Sequence, residues 1–250
     1  MKIIISPAKK MNTDGDGIYG FDDYTMPVFI NEAKEILNTL KGKTYAELKS
    51  IWKCNDAIAE LNFDRVMHGN LSKATTPAVF AYDGIQYKNL SPNTLETDAL
   101  HYIKKNLRIL SAVYGVLTPF DAVIPYRLEM QAKLGIGNSK DLYAYWGRKI
   151  ADKLFEDDDV VINLASKEYS KAVTDHLPEG KRIITCAFTE NINGKLIEKG
   201  TLCKMARGAC VRFMAENNIE NTEDIKKFNA LGYKFSDESS DENTFTFIKE

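Results

Sequence analysis

Two short apolar runs, KIIIS at residues 2–6 and VVINLA at residues 160–165, constrain the fold of this chain most strongly. Each is predicted to be a buried strand, because short apolar runs of this kind are typical of strands inside a sheet. The first run stops at Pro7, which has no backbone N–H to donate to a neighbouring strand. A third apolar run, RILSAVYGVL at residues 108–117, is predicted to be a central strand.

Segments with a helical spacing of apolar residues are interleaved with these runs. They span residues 27–41, 44–53, 55–67, 93–106, 141–155, 166–177, 201–218 and 222–230. Residues 13–20 and 76–92 are predicted loops, and further strands are expected at 182–190 and around an acidic loop near the C-terminus. Strands and helices do not alternate with the regular repeat of a doubly wound sheet. The sequence therefore predicts an α+β fold, a single mixed α/β domain over residues 1–250.

The composition of the chain argues against several classes of protein. The N-terminal apolar run has only three residues, which is too short for a signal peptide, and no window approaches the roughly 18–20 apolar residues of a membrane span. The four cysteines and three histidines are scattered, so neither a metal site nor a cofactor is expected. The sequence predicts a cytoplasmic protein without a membrane partner.

The net charge of −2 would by itself argue against a nucleic-acid-binding protein. The charge is unevenly distributed, however, because residues 216–250 contain nine acids and only four bases. The rest of the chain therefore carries a small excess of bases. Either an acidic C-terminal segment masks a mildly basic body, or it is only a solvated surface.

Charged residues stand among apolar ones in GVLTPFDAVIPYRLEM, residues 115–130. Asp121, Arg127 and Glu129 would each be costly to bury unless they are paired or used in a site. A guanidinium group suits bidentate recognition of phosphate or carboxylate. The segment is thus a candidate site, and the alternative is a structural ion pair among these three residues.

Two further candidates follow the predicted strands. Ser166 and Glu168 open a predicted helix directly after the strand at 160–165, and Lys171 lies one turn later, so this helix start could attract an anion. The alternative is a well-capped helix. Lys9 and Lys10 follow the first strand, and strand ends are common places for ligand-binding residues.

The helix predicted at 201–218 carries Lys204 and Arg207 on one face, three residues apart. Gly208 follows them, and a glycine inside a helix suggests a close approach by another backbone or a ligand. This face could bind an anion, and the alternative is a solvated basic surface.

Several strings of the sequence, in order along the chain, resemble the YaaA family of bacterial peroxide-stress proteins. They are ISPAK, TPAVFAYDGIQY, LRILSAVYGVLTPFDAVIPYRLEM, LYAYWG, NLASKEYSKAV, KMARG and a terminal F…GY.F pattern. The resemblance implies a mixed α/β fold unlike the common superfolds and a role in peroxide resistance and in keeping free intracellular iron low. It also implies DNA binding through a basic cleft and a helix-hairpin-helix element.

Carried onto this chain, the implied DNA-binding residues include Lys9, Lys10, Arg127, Ser166, Lys171, Lys204 and Arg207. The segment chosen for the helix-hairpin-helix is 100–117, which adds Lys104, Lys105 and Arg108. This chain has SAVYG where family members often have SGLYG, so Ala112 replaces a glycine there.

Two functions follow. The first is a cytosolic peroxide-stress protein that binds double-stranded or distorted DNA, largely independently of sequence. The alternative is an enzyme that acts on a small anionic, nucleotide or damaged-DNA substrate, with Asp121, Glu129 and Glu168 as acid/base groups and Arg127 and Lys171 holding the anion. Direct iron sequestration is a third idea that the scattered histidines and cysteines do not support.

Overall fold

A computed structural model describes residues 1–12 and 24–250. The predicted loop at 13–20 therefore lies outside the described residues. The strands are β1 (Lys2–Ile5), β2 (Lys10–Met11), β3 (Thr76–Pro77), β4 (Tyr82–Asp83), β5 (Leu107–Ser111), β6 (Gly115–Leu117), β7 (Ala122–Val123), β8 (Val160–Leu164), β9 (Arg182–Ile192), β10 (Lys195–Ile197), β11 (Tyr233–Phe235) and β12 (Thr244–Lys249).

The helices lie between these strands. The α-helices are α1 (Ile30–Lys41), α2 (Tyr45–Trp52), α3 (Asp56–His68), α4 (Ala78–Ala81), α5 (Ile85–Leu90), α6 (Thr97–Asn106), α7 (Leu142–Trp146), α8 (Lys149–Leu154), α9 (Lys167–Thr174) and α10 (Gly200–Glu216). Short 3-10 helices occur at Leu71–Lys73, Pro92–Thr94, Thr222–Lys227 and Ala230–Gly232.

The main sheet has the strand order β11-β12-β9-β8-β1-β5-β6, and β10 pairs with the carboxyl end of β9. β1 is parallel to both β5 and β8, and β9 is parallel to β8 and β12, whereas β6, β10 and β11 pair in antiparallel fashion. Helices separate the parallel strands, as parallel pairing requires. The mixed α/β prediction is confirmed, and the mainly parallel sheet is an addition to it.

β1 occupies the point at which the chain changes direction across the sheet. From β1 the chain leads to β5 on one side, and from β8 it leads through α9 to β9 on the other side. Ile5 pairs with Leu164, so the carboxyl ends of β1 and β8 lie next to each other. In open α/β sheets a crevice forms outside such a switch point, and ligands bind there.

The helix α10 packs closely on α5 because Gly208 has no side chain. A Cβ atom at Gly208 would lie 2.0 Å from the carbonyl oxygen of Gln86. This packing explains the glycine inside the helix, and it places α10 beside the strand ends because Gln86 also donates a hydrogen bond to the Leu164 carbonyl, at 3.3 Å. The buried apolar side chains of the described residues form one continuous cluster around the sheet.

The strand predicted at 108–117 is a hairpin of two strands, β5 and β6. Gly115 has a φ of +68° where the chain reverses, and Ala112 lies fully buried in the turn. Residues 100–117 thus form the end of α6 and a β-hairpin, so a helix-hairpin-helix in this segment is wrong. The predicted loop at 76–92 also needs correction, because it contains α4 and α5.

Most other elements follow the predictions closely. α1, α2, α3 and α10 lie where helical spacing placed them, and α2 begins with the capping box of Thr44 and Glu47. The predicted helix at 141–155 is divided into α7 and α8, because Gly147 has a φ of +46°. In the described part of the chain, no helix has both the length and the apolar composition needed to cross a membrane.

Candidate anion-binding site

A cavity of about 370 Å³ lies outside the carboxyl ends of β1 and β8, and we call it the switch-point pocket. Hydrogen bonds fix its base: the Ser166 N–H donates to Ser6 Oγ at 2.8 Å, and Ser6 Oγ donates to Ser166 Oγ at 3.2 Å. The Tyr87 hydroxyl donates to the Ser6 carbonyl at 2.9 Å. The ends of β1 and β8 are therefore held together and tied to α5.

The pocket brings together many of the residues that the sequence singled out. The predicted residues that line it are Lys9, Lys10, Arg127, Glu129, Ser166, Glu168, Lys204 and Arg207. They come from the segment after β1, the segment after β7, the start of α9 and one face of α10.

Lys9, Lys10 and Lys204 line the pocket and are exposed, and exposed Lys88 lies beside the lining residue Asp83; we call these four the rim lysines. Lys9 Nζ lies 2.9 Å from Glu129 Oε1, and its side chain is 63% exposed. Asp83 pairs with two lysines, with Lys10 at 2.5 Å and Lys88 at 3.5 Å. Within the described residues Lys204 makes no ion pair, so the rim carries more positive than negative charge.

Two arginines lie deeper, and each has a buried N–H without a partner. Arg207 has only 11% of its side chain exposed, and its closest carboxylate oxygen, on Glu198, is 3.9 Å away. The Nε atoms of Arg207 and Arg127 have no hydrogen-bond partner among the described residues. An unpaired guanidinium N–H inside a protein is unfavourable, so an anion in the pocket would stabilise both groups.

Glu168 is half-buried and lines the same pocket as these arginines. Its Oε1 accepts a hydrogen bond from the Gln131 N–H at 3.3 Å. Burial raises the pKa of the Glu168 carboxyl, and the Gln131 hydrogen bond and Lys9 offset only part of this rise, to which Glu129 adds. A carboxyl group with a raised pKa next to cationic groups is a candidate for proton transfer.

The start of α9 also faces this region of the fold. The Ser166 side chain is the N-cap residue but does not cap the helix, because its Oγ interacts with Ser6. The first amides of a helix lack intrahelical partners, so an uncapped start can accept an anion.

Asp121 does not reach the pocket. It is 3% exposed, its Oδ1 accepts a hydrogen bond from Thr25 Oγ1 at 2.6 Å, and its Oδ2 accepts one from the Thr118 N–H at 2.8 Å. Burial raises the pKa of the Asp121 carboxyl, and these hydrogen bonds only partly counter it. The alternative for this segment, an ion pair among Asp121, Arg127 and Glu129, is not formed, since Glu129 pairs with Lys9.

Four predicted cations lie away from the pocket. Lys104, Lys105 and Arg108 lie at the amino end of β5, and this end is at the opposite edge of the sheet because β5 is parallel to β1. There Lys2 Nζ donates to the Lys105 carbonyl at 3.3 Å. Lys171 stands over the ring of Tyr143, 5.1 Å from its centre.

The sequence interpretation missed the pocket residues of β4 and α5, which are Asp83, Gln86, Tyr87 and the neighbouring rim residue Lys88. The Asp83-Gly84 turn signal predicts a loop in this segment. A Cβ at Gly84 would lie 2.8 Å from the Ala8 Cβ, so the glycine allows α5 to start against the segment after β1. The string YDGIQY, which carries part of the family resemblance, was the available signal.

Comparisons with known proteins agree with the resemblance. A family described as "Peroxide stress protein YaaA" matches residues 1–239. A UPF0246 protein of Agathobacter rectalis is 49% identical over 247 residues, 99% of this chain and 98% of its own length. UPF0246 proteins of Desulfitobacterium hafniense and Pediococcus pentosaceus are 49% and 47% identical over 249 residues, each match covering 100% of this chain and 98% of the relative. The chain therefore belongs to the YaaA family of peroxide-stress proteins.

Proposed function

We propose that this peroxide-stress protein works in the cytosol by binding DNA, with its rim lysines on the phosphate backbone. The observation that carries the proposal is the convergence of lysines from three separate segments around one pocket mouth. Phosphate contacts by lysine and arginine supply most of the sequence-independent affinity of DNA-binding proteins.

The carboxylates on the rim are compatible with this role. Lys9 and Lys10 are the exposed members of their ion pairs, with 63% and 74% of their side chains accessible, whereas Glu129 and Asp83 are largely buried. Each ammonium group can therefore contact a phosphate group while it stays paired with its carboxylate. The cavity itself is far too small for a duplex. A duplex must therefore lie across the mouth, in contact with the exposed lysines.

A second element suits the helix-hairpin-helix that the resemblance implies. α2 and α3 are consecutive helices joined by residues 53–55, and they pack on each other. Lys53 ends α2 in the left-handed conformation, and Asn55 caps α3 by accepting from the Ile58 N–H at 3.0 Å. We propose that this connection, with exposed Lys53, provides a further phosphate contact.

DNA binding would help limit peroxide damage at the DNA and the effect of free iron there. The described residues contain no group of three or more histidine, cysteine, aspartate or glutamate side chains placed to hold a metal ion. The proposal therefore assigns protection to DNA binding. Cleavage of a plasmid by ferrous iron and peroxide should slow when the protein is added, and equal cleavage with and without it would contradict this part.

The central test is the combined variant Lys9→Gln, Lys10→Gln and Lys204→Gln. Duplex affinity, measured by fluorescence anisotropy over a range of salt concentrations, should fall about tenfold or more. The slope of log K against log salt should become shallower by about 2.7, since each phosphate contact contributes about 0.9.

The matched control removes the same charge elsewhere, with Lys104→Gln, Lys105→Gln and Lys171→Gln. These residues lie away from the pocket, so affinity and slope should remain close to those of the wild type. If the control weakens binding as much as the rim variant, or if neither changes the slope, the rim does not bind DNA.

A second candidate function is an enzyme that acts on a small anionic, nucleotide or damaged-DNA substrate. The observation that favours it is the raised pKa of Glu168 in a pocket that Arg127 and Arg207 also line. Glu168 and Glu129 would transfer protons, while Asp121 and Lys171 drop out because they lie elsewhere. Incubation with nicked, abasic and bubble DNA and with a panel of nucleotides, at high protein concentration, would show turnover if this candidate is right.

A further inference from the structure

We infer that the floor of the switch-point pocket, formed by Arg127, Ser166, Glu168, Tyr169 and Arg207, binds one nucleoside monophosphate unit. The two arginines hold its phosphate group. This unit could come from two sources, a nucleotide extruded from DNA or a free mononucleotide, which have the same chemistry. Only the first source rests on the proposed function.

The anionic part of the ligand follows from the arginines. Arg207 is nine-tenths buried, and its Nε and that of Arg127 lack partners among the described residues. The Glu198 carboxylate, at 3.9 Å, is too distant for a hydrogen bond to Arg207. A guanidinium fork matches two oxygens of a phosphate, and both arginine side chains line the same pocket as Ser166 at the start of α9, so we assign the phosphate group to this part of the pocket.

The size of the cavity calls for more than a phosphate ion. Its volume of about 370 Å³ lies within the range of roughly 300–1,000 Å³ that is usual for small-molecule sites. An inorganic phosphate would leave most of this space empty. A phosphate joined to a sugar and a base would fill it.

The remaining lining suits a flat, partly polar group. Ile85, Tyr126 and Tyr169 provide apolar and aromatic surface on which a base can stack. Gln86 uses its side-chain N–H on the Leu164 carbonyl, which leaves its amide oxygen to accept from a base N–H or a sugar hydroxyl. The position of the pocket agrees with the chemistry of its lining, since nucleotides bind at the switch points of open α/β sheets.

The rim and the floor differ in the state of their charges. The rim lysines are exposed, and three of them pair with carboxylates. The arginines of the floor are largely enclosed and have unpaired donors. A duplex can contact only the rim, whereas a single nucleotide can enter the pocket and contact its floor.

The test measures binding of the four deoxynucleoside 5′-monophosphates, the matching deoxynucleosides and inorganic phosphate by isothermal titration calorimetry. At least one monophosphate should bind at least tenfold more tightly than its nucleoside and at least a hundredfold more tightly than phosphate. Arg207→Gln should weaken monophosphate binding at least tenfold without changing nucleoside binding, and Lys104→Gln should have no effect. Equal binding of monophosphate and nucleoside by the wild-type protein would overturn the inference, so this outcome does not depend on whether a variant folds.

Arg127→Gln provides a second variant if Arg207→Gln does not fold, and thermal melting of each variant checks the fold. The source of the nucleotide is tested with a duplex that contains an unpaired bubble, because a mononucleotide should compete with the bubble more strongly than with the perfect duplex. DNA binding without any mononucleotide binding would overturn the inference and leave the proposed function intact. Mononucleotide binding without DNA binding would overturn the proposed function and identify the free mononucleotide as the ligand.

Discussion

Replacement of Gly208 by alanine should loosen the contact that builds the pocket. The added Cβ would lie 2.0 Å from the Gln86 carbonyl oxygen and 3.0 Å from the Asn89 Cβ, whereas ordinary contacts begin near 3.4 Å. α10 and α5 would have to separate by roughly 1.4 Å, because a backbone carbonyl cannot rotate away as a flexible side chain can.

The magnitude follows from two opposed effects. Overpacking a well-filled contact costs about 1–3 kcal/mol, and the rigid carbonyl puts this case near the upper end. Alanine is favoured over glycine inside a helix by about 1 kcal/mol, which offsets part of this. We therefore expect the free energy of unfolding to fall by about 2 kcal/mol, which corresponds to a melting temperature lower by about 4–8 °C for a chain of this size.

Urea denaturation and thermal melting measure this loss, and mononucleotide titration reports on the pocket. Gly200→Ala is a matched control in the same helix, because nothing lies within 4 Å of the added Cβ. It should change stability by less than about 0.5 kcal/mol. A Gly208→Ala protein as stable as the wild type would show that the close contact between α10 and α5 is not formed.

Three other outcomes follow from burial and hydrogen bonding. Because the pKa of Glu168 is raised in the fold, the stability that this group contributes is present at acid pH and is lost as the pH rises through its folded pKa. In urea denaturation, Glu168→Gln should therefore be more stable relative to the wild type at pH 8 than at pH 4. A difference in unfolding free energy that is the same at both pH values would refute this. Asp121→Ala leaves the half-buried Thr118 N–H without its acceptor, so it should lower the free energy of unfolding by about 1–3 kcal/mol while DNA affinity stays unchanged. A loss of affinity in the folded variant would return Asp121 to the site. Of the four cysteines only Cys54 is not buried, so a thiol reagent should modify Cys54 first in the native protein, and rapid reaction of all four thiols would contradict the buried placement.

Local patterns in the sequence are sufficient to predict a helix or strand when the whole element has the same kind of surroundings along its length. β1 and β8 are short apolar runs that lie inside the sheet, and α10 has the apolar spacing of a helix packed on one face. The sequence predicts one strand where the structure has β5 and β6, because the turn between them, Ala112–Tyr114, is itself apolar and fully buried. A hydrophobic pattern marks burial, so it cannot reveal a reversal that occurs inside the core.

The site was only partly predictable because it depends on strand pairing. Lys9 and Ser166 could be placed near strand ends from the sequence, but they line one pocket only because β1 and β8 are parallel neighbours. The same parallel pairing sends Lys104 and Lys105 to the other edge of the sheet, although the sequence places them as close to a strand as Lys9. Which strands pair is set by contacts between distant residues, which local spacing does not contain.

The lysines and the arginines of the pocket differ in how deeply they lie, and this difference explains why the pocket has both. A surface that only follows a phosphate backbone has no need of buried guanidinium groups, and a pocket that only binds a small anion has no need of exposed lysines around its mouth. The present fold produces both, since the strand-end segment supplies Lys9 and Lys10 at the surface while the close approach of α10 to α5 encloses Arg207. Because Arg207 and Lys204 lie on the same face of one helix, a nucleotide in the floor and a backbone on the rim would be held by the same rigid element. One DNA strand could therefore occupy the floor and the rim at once, and the second contact would form at the high effective concentration that the connecting backbone provides. This gain in affinity distinguishes a protein that binds single nucleotides within DNA from one that only contacts the backbone of a duplex.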